Sequence, residues 1–339
     1  MTSPRRLPLI LLAVLSAGAL VLTSCSSTTE TSTEAGTAGG DKPVIVATTS
    51  ILGDITSNVV GDLATVEVIV PANTDPHDFE PSAKQAALLR DADLIVANGL
   101  LLEEGLISII ESAEGDGTPV VEVSELVDPL TFDEEFEEQV DAAAAGLGME
   151  EEGHSDEEEG HGEFDPHWWM DPTRAAQAAG VISTAVADNT DVDAGQLAEQ
   201  TEAYEAELLA LDAELDALFA DIPADRRLMV TNHDAFGYLA TRYGFEVVGT
   251  VIPSGSDLAE PSAESLASLA TLINELGVPA IFTENTSSSD LANTLAAETG
   301  TNVAVVPLFS DSIGEQGSGA ETYIAMMRTN GQRIADALK

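Results

Sequence analysis

The longest regular pattern in the chain occupies residues 194–223, AGQLAEQTEAYEAELLALDAELDALFADIP. Apolar or uncharged side chains recur in it at alternating steps of four and three residues, which is the spacing of one helix face. They are Leu197, Thr201, Tyr204, Leu208, Leu211, Leu215, Leu218 and Ile222. Pro223 ends the pattern, so the sequence predicts one helix of about seven turns that ends at residue 222.

The other faces of this helix carry Asp and Glu but no Lys or Arg, so packing of the apolar face must hold it. That face fits burial against two lobes of the same chain, or a coiled-coil dimer. We expect the first arrangement, in a monomer, with the helix as a rigid link between lobes.

Short β-branched runs alternate with helix-like segments on both sides of this helix. They lie at residues 44–48, 66–70, 94–97 and 120–123, and then at 228–231, 245–251, 280–282 and 303–306. Such alternation is typical of α/β domains with parallel sheets. The tetrapeptide EPSA at residues 80–83 recurs at 260–263, with its Pro expected in a first helical turn. The sequence therefore predicts two similar α/β lobes, residues 42–193 and 223–339, joined by a linking helix at 194–222.

Residues 131–165 have a different composition from the rest of the first lobe. They contain fifteen Asp or Glu and no Lys or Arg. Such a segment cannot bury enough apolar surface to fold alone, so we predict a mobile acidic loop. Its His154 and His161 are either low-affinity metal ligands or incidental members of a solvated insertion.

The other three histidines each follow a predicted strand. His77 lies in DPHDFEP (residues 75–81), His167 in DPHWWMDP (165–172) and His233 in NHDAFGY (232–238). Open α/β sheets bind ligands beyond the carboxyl ends of their strands, so two facing lobes would bring these loops into one cleft. Since imidazole is the commonest ligand of late first-row metals, the sequence predicts a metal site there.

The expected fourth ligand is an acidic side chain or a fourth histidine. Asp311 follows the strand at 303–306 and occupies the equivalent edge, although an Asp can also cap a helix. Glu284, after the strand at 280–282, is the competing candidate: it either supports a metal-binding side chain from behind or replaces Asp311 as a ligand. The two tryptophans beside His167 are expected to pack its loop.

The N-terminus indicates where the chain works. Arg5 and Arg6 precede an apolar run at residues 7–22, followed by Cys25, the chain's single cysteine. This pattern predicts a signal peptide at 1–24, with an uncleaved membrane anchor as the alternative. It resembles the processing signal of bacterial lipoproteins, so Cys25 is the expected lipidation site, and the Ser/Thr/Gly-rich residues 25–41 are a flexible tether. We expect the protein to be held by lipid at the outer face of the cytoplasmic membrane.

The formal net charge of −48 bears on possible partners. A surface of this sign repels nucleic acid and attracts cations. The same acidity can equally serve solubility in the organism's own medium, so the charge names no ligand.

Together these motifs resemble the metal-binding substrate-binding lipoproteins of bacterial ABC importers, the zinc/manganese family. The resemblance is carried by the three histidine motifs together with IFTE at 281–284 and LFSDS at 308–312. It implies two lobes on a long helical backbone, metal ligands at His77, His167 and His233, and Asp311 completing or flanking the site. It also implies a membrane permease and a cytoplasmic ATPase as partners.

Three imidazoles and one carboxylate favour Zn(II) over Mn(II), which prefers more oxygen. The resemblance adds that manganese members carry a carboxylate in place of the third histidine, whereas His233 is intact here. Mn(II) or Fe(II) remains the alternative cargo. A surface adhesin and a zinc hydrolase with Asp311 or Glu284 as base are alternatives of other classes. With no His-Glu-x-x-His motif, we expect no enzyme.

Overall fold

Two parallel β-sheets organise the part of the chain that the computed structural model describes, residues 42–132, 163–252 and 261–339. The first sheet contains β1 (Val44–Ala47), β2 (Thr65–Val68), β3 (Leu94–Ala97) and β4 (Val120–Glu122). The second contains β5 (Leu228–Thr231), β6 (Glu246–Thr250), β7 (Ala280–Glu284) and β8 (Ala304–Leu308). Their strand orders, β2-β1-β3-β4 and β6-β5-β7-β8, are the same, which confirms two similar α/β lobes.

Helices fill the intervals between the strands. They are α1 (Ser50–Val60), α2 (Ala83–Arg90), α3 (Ile107–Asp116), α4 (Pro172–Asn189), α5 (Ala194–Phe219), α6 (Gly237–Tyr243), α7 (Ala263–Leu276), α8 (Asp290–Glu298) and α9 (Tyr323–Leu338). In both copies of EPSA the serine is the N-cap: Ser82 accepts from the backbone of Gln85, and Ser262 from that of Ser265. The repeated proline therefore precedes the cap, and its expected place in the first helical turn is wrong.

The long helix α5 is present, as the periodicity predicts. Its buried face includes Leu197, Leu208, Leu211 and Leu215, and it packs against α1, α4 and α9, helices from both halves of the chain. It ends at Phe219, three residues before the predicted end. The pattern predicts Leu218 on the buried face, whereas Phe219 is the buried residue at this turn. The reason is that the α-helical period of 3.6 residues drifts from a 3.5-residue spacing.

Most of the apolar interior forms one cluster that spans both lobes. This cluster includes Ile45 near the start of the described chain and Leu338 at its end. Two smaller clusters lie one in each half, the first around Ile95 and the second around Ile281. Residues Lys42–Lys339 accordingly form one compact unit. The division of this unit into lobes that end at residue 193 and begin at residue 223 stays a prediction.

Several predictions lie outside the described residues: the signal peptide, Cys25 and the tether, His154, His161 and most of the acidic loop. At the ends of that loop, Thr131 and Phe164 form an antiparallel bridge. Among the described residues, no helix combines the length and the apolar character that crossing a membrane requires.

Candidate metal centre

The His77 loop follows β2 and is shaped by its own acidic neighbour. The backbone N–H of His77 donates to Asp75 Oδ1 at 2.8 Å, an Asx-type turn that the Asp-Pro-His order favours. The His77 side chain is buried. Its ring centre lies 5.6 Å from that of His167 and 5.5 Å from that of His233. The structure thus brings the three histidines together.

His167 repeats this turn and adds a side-chain contact. Its backbone N–H donates to Asp165 Oδ1 at 2.9 Å, and its ring Nδ1 lies 2.7 Å from the same oxygen. Burial lowers the pKa of His167 to about 3, against the opposing charge of Asp311. Burial also raises the pKa of Asp165 to about 7. The lowered pKa favours the neutral form of His167, which is the form that binds metals, and the contact at Nδ1 leaves Nε2 on the opposite side of the ring from Asp165.

His233 is paired with Glu284 through the register of the second sheet. Thr231 of β5 is paired with Phe282 of β7, so His233 and Glu284 each lie two residues beyond that pair. Glu284 Oε1 contacts His233 Nδ1, and both side chains are fully buried. Glu284 thus holds the far side of the His233 ring, as Asp165 does for His167.

Asp311 completes the cluster from the loop after β8. Its Oδ1 lies 3.4 Å from His167 Nε2, and its Oδ2 lies 3.8 Å from His233 Nε2. The Ser310 hydroxyl donates to Oδ2 at 2.8 Å, whereas the buried Oδ1 accepts no hydrogen bond from any described residue. Asp311 is not a helix cap, because the next helix, α9, is capped by Thr322.

Four buried side chains converge at this point: His77, His167, His233 and Asp311. One potential ligand atom from each lies within 4.8 Å of the other three. His167 Nε2 and His233 Nε2 are 3.4 Å apart. Two atoms bound tetrahedrally to one zinc ion lie about 3.3 Å apart, so this spacing suits a small metal ion. Glu284 lies behind His233 and is not a member of the group of four.

Both tryptophans after His167 are buried and tie its loop to the surrounding structure, as expected. The Trp169 indole N–H donates to Ser310 O at 2.7 Å, which links the His167 loop to the Asp311 loop. The Trp168 indole N–H donates to Asn98 Oδ1 at 2.8 Å.

Hydrogen bonds that the sequence did not suggest join the two lobes beside the cluster. Ser50 Oγ and Ser312 Oγ are 3.0 Å apart, and the Asn73 N–H donates to Ser312 Oγ at 2.7 Å. Asn285 Nδ2 donates to Asn73 Oδ1 at 3.0 Å. The loop before His77 is thereby attached to the segment after Asp311. Ser312 belongs to the LFSDS motif, whereas Ser50, Asn73 and Asn285 belong to none of the motifs named above.

Comparison with known proteins gives a consistent result. The family model described as "ZnuA: Zinc-uptake complex component A periplasmic" matches residues 45–337. The manganese-binding lipoprotein MntA of Halalkalibacterium halodurans is 30% identical over 291 residues, 86% of this chain and 87% of that protein. The zinc-binding lipoprotein AdcA of Streptococcus pneumoniae is 32% identical over 290 residues, 84% of this chain and 54% of that protein.

The similarity extends to three dimensions. The solved structure of the periplasmic zinc-binding protein TroA from Treponema pallidum superposes with a TM-score of 0.74 at 29% sequence identity. The match covers 88% of this chain and 99% of that one. The similar proteins are named for two different metals, zinc and manganese.

Proposed function

Because this chain belongs to the ZnuA family, whose members are metal-binding substrate-binding proteins of ABC importers and not enzymes, we propose that it captures Zn²⁺ outside the cytoplasm. The bound ion is then passed to a membrane permease that a cytoplasmic ATPase drives. His77, His167, His233 and Asp311 are the four ligands.

The observation that carries this proposal is the convergence of four ligand atoms within 4.8 Å in the buried cluster. Three imidazoles and one carboxylate match the N/O donor set and the four-coordinate geometry that Zn²⁺ favours. Asp165 and Glu284 leave the Nε2 atoms of His167 and His233 available to the ion, since each carboxylate contacts the Nδ1 atom of its ring.

Mn²⁺ is the second candidate cargo. Both carboxylate oxygens of Asp311 face the histidines, at 3.4 Å and 3.8 Å, so this residue can supply two oxygens to a metal of higher coordination number. MntA, a relative of similar length, is named manganese-binding.

Delivery requires attachment to the membrane that holds the permease. The signal peptide at residues 1–24 and the lipidation of Cys25 supply that attachment, with residues 25–41 as the tether. Relatives that match most of this chain are named as lipoproteins. The protein then acts as a lipid-anchored monomer, and a role as a surface adhesin is at most secondary.

The first test is a metal competition. The full chain, purified in detergent and stripped of metal, is dialysed against equal Zn²⁺ and Mn²⁺, and bound metal is counted by mass spectrometry. His233→Ala is treated in parallel. We expect one tightly held Zn²⁺ per parent chain, lost or strongly weakened in the variant, because the variant lacks one of four ligands.

Other outcomes of this test have distinct meanings. Preferential binding of Mn²⁺ would replace the proposed cargo and leave the proposed site in place. If the parent holds no stoichiometric metal, the proposal as a whole is wrong. Co²⁺ loading provides an independent readout, because tetrahedral Co²⁺ absorbs visible light far more strongly than octahedral Co²⁺.

A further inference from the structure

A buried amide beside the cluster contacts both neighbours of His167. Asn98, immediately after β3, is 0% exposed. Its Nδ2 donates to Pro166 O at 3.1 Å, and its Oδ1 accepts from Trp168 Nε1 at 2.8 Å. One side chain thus binds the residue before and the residue after a proposed ligand, and it uses both ends of its amide to do so.

A buried carboxylate in turn holds Asn98. Glu103 Oε1 accepts the Asn98 N–H at 2.7 Å, and its Oε2 accepts the Gly99 N–H at 3.2 Å. The Thr48 hydroxyl at the end of β1 also donates to Glu103 Oε1. Glu103 therefore links Thr48, which follows β1, to the backbone of Asn98 and Gly99, which follow the neighbouring strand β3.

The turn between Asn98 and Glu103 has an unusual backbone. Gly99, Leu100 and Leu101 have φ angles of 84°, 51° and 65°. Leucine rarely adopts this region, and such conformations persist only where surrounding contacts over-determine them. The Leu102 N–H donates to Gly99 O at 3.3 Å and closes the turn. The turn reverses the direction of the chain, so that the Glu103 side chain can accept a hydrogen bond from the backbone N–H of Asn98.

We propose that Asn98 is a positioning residue for metal binding. It fixes the position of the loop that carries His167, and Glu103 holds Asn98 in place. This inference rests on the proposed metal site. Asp165 contacts the His167 ring at Nδ1, while Asn98 binds the main-chain carbonyl of Pro166 before that residue and the indole of Trp168 after it. Without Asn98, the Pro166 carbonyl and the Trp168 indole lose buried hydrogen bonds, and the loop rearranges to regain them. The His167 Nε2 atom is then less well placed.

The test uses the full chain in detergent and three variants. Asn98→Ala removes both hydrogen bonds, and Trp168→Phe removes one while keeping an aromatic ring. Ile273→Val is the control, because Ile273 lies in the separate apolar cluster of the second half and its truncation lowers stability alone. Each protein is assayed for Zn²⁺ affinity by chelator competition, for its Co²⁺ absorption spectrum and for thermal unfolding without metal.

We expect Asn98→Ala to weaken Zn²⁺ binding about 10- to 100-fold and to change the Co²⁺ spectrum. Trp168→Phe should produce a smaller change in the same direction. Ile273→Val should lower the unfolding temperature yet keep the parent's affinity and spectrum. This control separates an effect on the position of His167 from an effect on the stability of the fold.

The inference is wrong if folded Asn98→Ala binds Zn²⁺ with the parent's affinity and Co²⁺ spectrum. Should that variant fail to fold, Trp168→Phe decides, and a parent-like affinity and spectrum there would reject the inference. A parent chain that binds no metal would instead reject the proposed function, and the inference with it.

Discussion

Single residues determine whether a histidine can serve as a ligand. Asp165 contacts Nδ1 of His167, and Glu284 contacts Nδ1 of His233, so both rings keep Nε2 for the cluster. The position of Asp165 two residues before His167 is visible in the sequence. The role of Glu284 was ambiguous because it depends on which strand lies beside β5, and strand order is a property of the fold.

A prediction at this scale concerns Glu284. If it orients His233 and is not itself a ligand, Glu284→Ala should weaken Zn²⁺ binding about 10- to 100-fold while one metal per chain remains. Glu284→Gln keeps an acceptor for Nδ1 and should have a smaller effect. Isothermal titration of the stripped protein measures both affinity and stoichiometry. Loss of stoichiometric metal in both variants, as expected for Asp311→Ala, would make Glu284 a ligand.

The long helix shows what one element contributes. Helix α5 has a buried face that contacts helices from both halves, and its other faces are mainly exposed. Asp212 on this helix accepts from Arg242 Nε at 2.8 Å, and Arg328 Nε donates to Glu214 at 2.9 Å. Apolar packing holds the helix, and these ion pairs to α6 and α9 add to it.

Two leucines of this helix form a matched pair for a stability test. Leu211 is 0% exposed, whereas Leu209 is 52% exposed. We expect Leu211→Ala to lower the free energy of unfolding by about 2–5 kcal/mol, through lost burial and a cavity. Leu209→Ala should change it by less than about 0.5 kcal/mol. Urea denaturation monitored by circular dichroism measures both values. Equal losses would mean that the helix packs through a different face.

The elements themselves were largely predictable from the sequence. The strands at 94–97 and 228–231 were predicted at their observed limits, and the others differ by one or two residues at one or both ends. The Asn98 network was not predictable. Asn98 meets Pro166 and Trp168 only because β3 and the His167 loop are adjacent in the fold. Local patterns report periodicity and turn chemistry, and a contact between distant segments leaves no local pattern.

The whole molecule carries a strongly negative field. Its 60 Asp and Glu residues against 12 Lys and Arg residues give the net charge of −48. Such a field attracts cations to the surface and raises their rate of association, whereas a buried site is screened little by salt. We therefore expect the negative charge to affect the association rate of the ion more than its dissociation rate.

The corresponding prediction concerns salt. Between ionic strengths of about 0.01 M and 0.15 M, we expect the association rate of Zn²⁺ to fall at least about tenfold, with a nearly constant dissociation rate. Stopped-flow fluorescence can follow binding, because the Trp169 ring centre lies 5.3 Å from that of His167. An association rate that is independent of salt would leave solubility as the role of the acidic surface.

The apolar cluster shared by the lobes has a consequence for biosynthesis. Because it includes both Ile45 and Leu338, a growing chain cannot complete its main core until the last helix has been synthesised. Contacts so far apart in sequence also form slowly, because a long loop must close first. We therefore expect such a chain to stay incompletely folded until helix α9 has been synthesised, and an incompletely folded polypeptide is the form that can be threaded through a secretion channel.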